Sequence, residues 1–307
     1  MLSLILLSMV MSELILDRLD VTRRLPVRAF ASQPARTVFS VRNGRRYTSS
    51  YAMEIEDEVI GVAPGRGAYL LKIPPQKTVV VDHLRNAPGR GEHTIRGYRI
   101  TTRYPFGIVE KSKYYTFPAT WLVYPEVKSE EVASQARDSK GEDQPSERQG
   151  AGAEWGDLRE YRMGDEARSI HWRRSAAMGY VVSRERQRDT VPEWIVLLDN
   201  RAPAHLHPIL RGETSESPAD QPALDAWVAT LEERIARAAT LVKVGTERGA
   251  SVQVVTRSGT SPVGVPHVPP DPVWRFLALL GSTTDAGDLD AVARPGRRVL
   301  DLSEGGP

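Results

Sequence analysis

Residues 194–199, Trp194-Ile-Val-Leu-Leu-Asp199, form an uninterrupted apolar run that ends in an acidic residue. Such a run is typical of a strand that is buried on both faces of a parallel sheet. Between residues 222 and 244 the apolar side chains recur three or four positions apart, and Gly245 follows them. This spacing predicts an amphipathic helix that stops at the glycine. A buried strand followed by such a helix favours an α/β sheet.

The rest of the carboxyl-terminal region continues the alternation of strand and helix. A second strand, a short helix and a third strand are predicted at residues 251–255, 272–280 and 298–302. A β-α-β-α-β order is typical of a doubly wound sheet with right-handed crossovers. Segment 180–190 could add a further strand. We therefore predict a doubly wound α/β domain over residues 191–303.

The amino-terminal region, residues 17–127, carries the pattern of β structure. Turn residues separate six short runs rich in β-branched and aromatic side chains, at 37–41, 51–55, 68–73, 77–81, 99–103 and 121–124. Asn43-Gly44 is a strong hairpin dipeptide. Short strands at this spacing indicate an antiparallel sandwich of the immunoglobulin type. The chain is thus predicted to be an α+β multidomain protein, with the sandwich first and the α/β domain second.

Composition excludes several classes of function. The chain of 307 residues has no cysteine, which excludes disulfides, zinc–thiolate sites and cysteine nucleophiles. Its 41 basic and 39 acidic residues give a net charge of +2, which argues against a dedicated nucleic-acid binder. The phosphate-binding glycine motifs of nucleotide sites are missing from the sequence. Residues 128–153 carry almost no large apolar side chains, as is typical of a flexible linker.

Residues 1–16 are almost entirely apolar, with Glu13 as their single charge. The uninterrupted run is about twelve residues long, whereas roughly 20 are needed to cross a bilayer. Four arginines follow it, as on the cytoplasmic flank of a membrane helix, at positions 18, 23, 24 and 28. Two interpretations are open: a hydrophobic first element packed on the body of the protein, or the remnant of a membrane anchor. The arginines favour the anchor.

Residues 154–190 contain the densest motif, Leu158-Arg-Glu-Tyr-Arg-Met-Gly-Asp-Glu-Ala-Arg-Ser-Ile-His-Trp-Arg-Arg-Ser-Ala176. Asp165 follows a glycine and is a good N-cap, which predicts a helix over residues 166–178. Arg168 is placed to pair with a carboxylate near the start of that helix. We expect these residues, with Gly164 and Trp172, to pin the helix to the α/β domain.

This motif resembles the signature of the DUF58 family of bacterial membrane-associated proteins. The segments Tyr104-Pro-Phe-Gly-Ile108 and Val123-Tyr-Pro-Glu126 also resemble stretches that precede the signature in that family. Two positions depart from the family pattern, because His171 stands where an aspartate is usual and Ala177 where an arginine is common. The resemblance implies membrane helices, a β domain, the signature and then a von Willebrand factor A-like domain. It assigns a structural or partner-binding role to Arg159, Tyr161, Gly164, Asp165, Arg168 and Trp172.

The resemblance also implies a function. The expected protein is a non-enzymatic, membrane-tethered interaction or assembly protein without a cofactor. It would lie at the cell membrane, with its soluble domains on the cytoplasmic side. The implied partners are a MoxR-type AAA+ ATPase and other membrane proteins of the same gene cluster.

Two other functions remain open. A metal-dependent von Willebrand A domain holds magnesium with an Asp-x-Ser-x-Ser loop after its first strand. Here Asp199 keeps the acid, but Arg201 and Pro203 replace both hydroxyls. We therefore expect a degenerate site without a metal, in which Asp199 caps the strand end or pairs with Arg201.

The less favoured alternative is a hydrolase that uses Asp165, Arg168 and His171. Ser175 lies four residues after His171 and could act as a nucleophile. The sequence around it lacks the Gly-x-Ser-x-Gly elbow of serine hydrolases.

Overall fold

The computed structural model describes residues 2–128, 158–162, 170–184, 191–211, 221–285, 289 and 298–302. The fold is mixed α/β, with more strands than helices. A helix, α1 (Leu2–Leu16), precedes the amino-terminal strands. These are β1 (Leu19–Arg24), β2 (Pro34–Asn43), β3 (Ser50–Val59), β4 (Ala68–Ile73), β5 (Thr78–Asn86), β6 (Gly91–Thr102) and β7 (Lys111–Val123). The predicted linker lies outside the described residues except for its first position.

The seven strands form two antiparallel sheets that face each other. One sheet has the order β1-β2-β5 and the other the order β4-β3-β6-β7. Buried and less buried residues alternate along β2 and β3, so each strand turns one side inward. Both sheets contribute to one core, which includes Phe39, Val41, Met53, Ile55 and Ile100. The predicted antiparallel β domain is confirmed at this level.

Asn43-Gly44 does not form the predicted hairpin. β2 ends at Asn43, and the next strand, β3, belongs to the other sheet. The buried Asn43 amide donates to the carbonyl oxygens of Thr48 and Ile73, at 2.8 and 3.1 Å. Gly44 donates its N–H to the Arg18 carbonyl at 2.8 Å. These bonds stabilise the segment in which the chain passes from one sheet to the other. The preference of Asn-Gly for hairpin turns does not predict such a crossing.

The carboxyl-terminal unit contains the predicted alternation. Its elements are β10 (Glu193–Leu198), α3 (His207–Leu210), α4 (Gln221–Glu247), β11 (Ser251–Thr256), β12 (Gly259–Thr260), α5 (Asp271–Leu279) and β13 (Arg298–Asp301). The strand order is β12-β11-β10-β13, and β10 pairs in parallel with both β11 and β13. The three predicted strands are confirmed. All three described α-helices of this unit contribute to one core with alternate residues of β10 and β11, on a single face of the sheet.

A small hairpin stands apart from that sheet. It pairs β8 (Leu158–Glu160) with β9 (Val182–Arg184), and α2 (Trp172–Met178) lies between them in the chain. The segment 180–190 thus contributes a strand to a two-stranded sheet, and not the further strand of the α/β sheet that it was suggested to add. That expectation was wrong because β9 pairs with the start of the signature.

Gly245 lies inside α4, which continues to Glu247, so the predicted stop was two residues early. A Cβ at Gly245 would lie 2.5 Å from Cγ2 of Val252 and 2.8 Å from Cε3 of Trp194. The glycine therefore allows close packing of the helix on the sheet. The left-handed residue after the helix is Gly249, with φ of +81°.

The sandwich and the α/β unit share an interface. Phe30 and Tyr124 of the sandwich pack against the Trp274 ring of α5, with centroids 5.1 and 5.9 Å away. Arg28 donates two hydrogen bonds of 2.6 Å to the Asp271 carboxylate. Arg90, in the turn before β6, reaches into the α/β unit.

Arg90 caps the carboxyl end of α5. Its guanidinium donates to the carbonyl oxygens of Leu277 at 3.1 Å and Leu280 at 2.5 Å, and it pairs with Glu232. Burial lowers the pKa of Arg90 to about 10. Carbonyl groups at the carboxyl end of this helix thus receive hydrogen bonds from a residue of the other unit.

Candidate functional site

The strongest candidate site lies at the carboxyl edge of the parallel sheet. β10 ends at Leu198 and is followed by Asp199 and Asn200, while β11 ends at Thr256 and is followed by Arg257. Parallel neighbouring strands end at the same edge, and open α/β sheets bind ligands there.

The Asp199 carboxylate is occupied by a bidentate ion pair. Arg257 Nε lies 2.8 Å from Oδ1, and Arg257 Nη2 lies 3.0 Å from Oδ2. The two side chains are only 23% and 21% exposed. The backbone N–H of Arg201 also donates to Oδ1, at 2.9 Å.

Burial raises the pKa of Asp199, but the hydrogen bonds from Arg257 and from the Arg201 N–H oppose it. These bonds, with the charges of Arg257 and Arg234, hold the pKa of Asp199 below its ordinary value. Arg234 also donates to the Asp199 carbonyl at 3.2 Å. The carboxylate therefore remains ionised and paired at neutral pH.

The sequence correctly predicted Asp199 at this edge but predicted the wrong partner for its carboxylate. Within the described residues, Arg201 gives Asp199 its backbone N–H and not its guanidinium. Of the two roles predicted for Asp199, the cap of the strand end is confirmed and the side-chain pair with Arg201 was wrong. Arg257 lies 58 positions away, where only the parallel pairing of β10 with β11 brings it close.

Asn200 is a second residue of this edge, and the sequence did not single it out. Its side chain is fully buried. Its Nδ2 donates to Ser258 Oγ at 2.7 Å and to the Gly281 carbonyl at 2.8 Å, and its Oδ1 accepts from the Arg257 N–H at 3.1 Å. Asn200 thereby ties three loops together and fixes the backbone from which Arg257 approaches.

The polar side chains at this edge are better suited to hydrogen-bond the loops together than to bind a cation. Within the described ranges, no group of three or more histidine, aspartate or glutamate side chains is placed to hold a metal ion. The one acid of the expected metal motif already binds a guanidinium through both oxygens. A metal at Asp199 would have to displace Arg257 and find further oxygen ligands.

The signature residues are described only in part. Arg159 lies in β8, opposite Ser183 of β9, and the half-buried Tyr161 donates its N–H to the Val181 carbonyl at 2.9 Å. Gly164, Asp165 and Arg168 lie outside the described residues. Their predicted roles, and the hydrolase hypothesis built on two of them, stay predictions.

The predicted helix over residues 166–178 is confirmed from Trp172 to Met178 and was wrong at residues 170 and 171, while residues 166–169 lie outside the described residues. Ile170 forms an antiparallel bridge with Ser183, and α2 begins at Trp172. His171 is the N-cap of this helix, a role that we had given to Asp165, and its Nδ1 accepts from the Arg174 N–H at 3.4 Å. Pairing with β9 competes with helix formation here, so Ile170 joins the hairpin and not the helix.

Ser175, and not Trp172, anchors this helix. The buried Ser175 hydroxyl donates to the His171 carbonyl at 3.1 Å and accepts from the Val182 N–H at 2.9 Å. The Trp172 side chain is 67% exposed, so the prediction that it pins the helix was wrong. Its exposure leaves it available to a partner.

The amino-terminal helix has an unusual distribution of side chains. It packs against β3, β6 and β7. Ser8 and Ser12 are fully buried against the body, together with Ile15 and Leu16. Seven large apolar side chains are exposed by 39–65%, those of Leu4, Ile5, Leu6, Leu7, Met9, Val10 and Leu14. Of the helices in the described ranges, none has both the length and the apolar character needed to cross a membrane.

Polar contacts fix the carboxyl end of α1 on the sandwich. Arg45 donates to the carbonyl oxygens of Leu14 and Ile15, and Ser50 Oγ donates to the Ile15 carbonyl at 3.1 Å. Tyr115 OH lies 3.4 Å from the Leu16 carbonyl. The helix is therefore held in place by its last turn.

Comparison with known proteins gives no family. No protein-family model matches this chain, and no curated protein matches it. Among solved structures, the CARDB domain of a Pyrococcus furiosus protein is 16% identical over 34% of this chain and 92% of that chain, with a TM-score of 0.23.

Two further solved structures are similar at the same low level. The sporulation control protein of Bacillus subtilis is 14% identical over 40% of this chain and 55% of its own, with a TM-score of 0.21. A β-glucosidase from Kluyveromyces marxianus is 10% identical over 34% of this chain and 15% of its own, with a TM-score of 0.16. At these TM-scores, none of the three likenesses carries an argument about function.

Proposed function

We propose that this chain is a non-enzymatic, membrane-tethered interaction protein of the DUF58 type. Its sandwich is an immunoglobulin-like domain next to the membrane, and its α/β unit is a degenerate von Willebrand A-like domain that binds a partner on the cytoplasmic side. The observation that carries this proposal is the arrangement of side chains on α1, which buries Ser8 and Ser12 and exposes seven large apolar side chains.

Over residues 4–14, with the exception of the exposed Glu13, α1 buries polar side chains and exposes apolar ones, which is the reverse of a surface helix in water. A surface helix of a soluble protein turns its apolar stripe toward the core and its polar side chains outward. In lipid, by contrast, helices place small residues such as serine against their protein neighbours and large apolar residues against the acyl chains. Each Å² of apolar surface removed from water contributes about 25 cal/mol, so seven half-exposed side chains strongly favour an apolar environment.

The paired Asp199 supports a partner site that works without a metal ion. Its carboxylate is neutralised from within the chain by Arg257. A binding surface at this edge would therefore recognise its partner without magnesium. The resemblance of residues 158–176 to the DUF58 signature makes a MoxR-type AAA+ ATPase the first partner to test, followed by membrane proteins of the same gene cluster.

Fractionation of cells that express the full chain tests the tether. We expect the wild-type protein in the membrane pellet after a carbonate wash. The variant Leu6→Ser/Val10→Ser should shift to the soluble fraction. Val263→Ser/Val265→Ser, with 53% and 56% exposure in the α/β unit, is the matched control and should stay in the pellet. Wild-type protein in the soluble fraction would refute the proposal.

A pull-down of the purified full chain with a MoxR-type ATPase tests the partner. We expect saturable binding that is unchanged by EDTA, without turnover of a substrate by the chain itself. Loss of binding in EDTA that magnesium restores would favour the metal-dependent alternative.

A further inference from the structure

A second apolar element lies beside α1. Residues 103–110 connect β6 to β7, and the turn at residues 103–108 within this connection exposes Phe106 by 52% and Ile108 by 56%. Ser12 Oγ of α1 donates to the Tyr104 carbonyl at 2.9 Å, and Glu13 of α1 pairs with Lys111 just after the turn. The turn and the helix are thus tied together by a hydrogen bond and an ion pair.

The turn has a defined backbone. Gly107 has a φ of +70° and donates its N–H to the Arg103 carbonyl at 2.8 Å. Glycine adopts this left-handed conformation without the strain that other residues would carry. Two large apolar side chains are therefore held at the surface on either side of Gly107.

Basic residues outnumber acidic ones in the segments that contact or flank these apolar elements, even after Arg18, Arg103 and Lys111 are paired with Asp17, Glu110 and Glu13. The segments that contact or flank them, residues 13–18, 45–47 and 103–113, carry six cations against three carboxylates. The cations are Arg18, Arg45, Arg46, Arg103, Lys111 and Lys113. Tyr47 is 80% exposed, and the Arg46 guanidinium lies 5.4 Å from the centre of its ring. An apolar surface with a cationic and aromatic rim is typical of proteins that lie in a membrane interface.

We propose that α1 and the turn at residues 103–108 form one docking face for the surface of an anionic lipid bilayer, with Phe106 and Ile108 inserted beside the helix. This inference rests on the membrane tether proposed above and adds a second insertion point. The excess of cations selects a lipid surface with negative headgroups, because each basic residue near such a surface contributes about 1 kcal/mol. Two insertion points would also fix how the sandwich is oriented on the bilayer.

The absence of cysteine from the sequence makes a direct test possible. Ile108→Cys in the full chain, labelled with an environment-sensitive fluorophore, is mixed with vesicles of phosphatidylcholine containing about 30% phosphatidylserine. We expect a blue shift and an increase of at least about twofold in emission, because the label enters an apolar layer. Val265→Cys, labelled in the same way at a side chain with the same 56% exposure, should show no change.

Vesicle flotation measures how much Phe106 and Ile108 contribute to binding of the protein to the lipid surface. Phe106→Ser/Ile108→Ser should partition into the anionic vesicles about tenfold more weakly than the wild type, because two large apolar groups stay in water. Val263→Ser/Val265→Ser should match the wild type. Replacing phosphatidylserine with phosphatidylcholine should also weaken wild-type binding about tenfold, as should raising the salt concentration to 1 M.

The outcomes separate this inference from the proposed function. If the wild type binds no vesicles, both the tether and the docking face are refuted. If the wild type binds but the Ile108 label does not respond and the Phe106→Ser/Ile108→Ser variant binds normally, the second insertion point alone is refuted. Equal binding to neutral and anionic vesicles would overturn the preference for anionic lipid.

Discussion

Removing Arg257 should expose the energetic role of the ion pair at the carboxyl edge. The two hydrogen bonds to Asp199 are charge-assisted, and such bonds contribute about 1.5–3 kcal/mol each when they are well shielded. The pair is about one-fifth exposed, and Asp199 keeps the Arg201 N–H when Arg257 is replaced. Solvent screening and this remaining bond reduce the expected coupling energy to about 2 kcal/mol.

A double-mutant cycle isolates this coupling. The variants are Asp199→Asn, Arg257→Gln and the double substitution in the full chain, with unfolding followed by urea denaturation for the free energy and by thermal denaturation for the melting temperature. We expect Arg257→Gln to lower the melting temperature by about 4–8 °C. Arg201→Gln is the matched control, since it removes an exposed guanidinium two residues from Asp199 and keeps the backbone N–H; it should change stability by less than about 0.5 kcal/mol.

The pH dependence of the cycle has a defined sign. The pKa of Asp199 is lowered in the folded state, so its contribution to stability is present above the ordinary aspartate pKa. That contribution is lost as the pH falls through the lower folded pKa. The coupling should therefore be constant from pH 7 to pH 5 and should decline below about pH 4.

Two results would refute the reasoning. A coupling energy below about 0.5 kcal/mol at pH 7 would mean that the pair is a solvated contact. Micromolar binding of magnesium or manganese by the wild type in a calorimetric titration, lost in Asp199→Asn, would show that a cation displaces Arg257.

The remaining predictions concern packing and the exposed tryptophan. Gly245→Ala should destabilise the protein by about 1–2 kcal/mol, because the added methyl group meets Val252 and the Trp194 ring. This cost exceeds the gain from the better helix propensity of alanine. Gly281→Ala, with open space around it, is the control in the same urea titration. Trp172→Ala should change the free energy of unfolding by less than about 1 kcal/mol because the ring is mostly exposed, while weakening capture of the ATPase at least tenfold. A loss of more than about 3 kcal/mol would indicate that the ring is buried after all.

Local periodicity allowed much of the α/β unit to be predicted from the sequence. The apolar run at β10 and the three-to-four spacing along α4 reflect burial of one strand and one helix face, and both elements were found within a few residues. Six of the seven described strands of the sandwich were predicted for the same reason, whereas β1 was not predicted. The strands β6 and β7 are longer than predicted, because they continue through residues in which apolar and polar side chains alternate less regularly.

The candidate site could be predicted only where it depends on neighbours in sequence. Asp199 follows its strand directly, so its place at the sheet edge was predictable. Arg257 could not be assigned to it, because sheet register sets that contact across 58 residues. Similarly, the apolar composition of α1 was plain in the sequence, but the burial of Ser8 and Ser12 depends on which side meets the sandwich.

The cap that Arg90 places on α5 has a consequence for dissecting this protein into fragments. A fragment that begins after residue 128 would leave the Leu277 and Leu280 carbonyls without their guanidinium donor. It would also uncover the Trp274 ring, which packs against Phe30 and Tyr124. Newly exposed aromatic surface of this kind promotes aggregation. For work in solution, an α/β fragment would need a separate sandwich chain to provide Phe30 and Tyr124. Alternatively, Trp274 could be replaced by a polar residue.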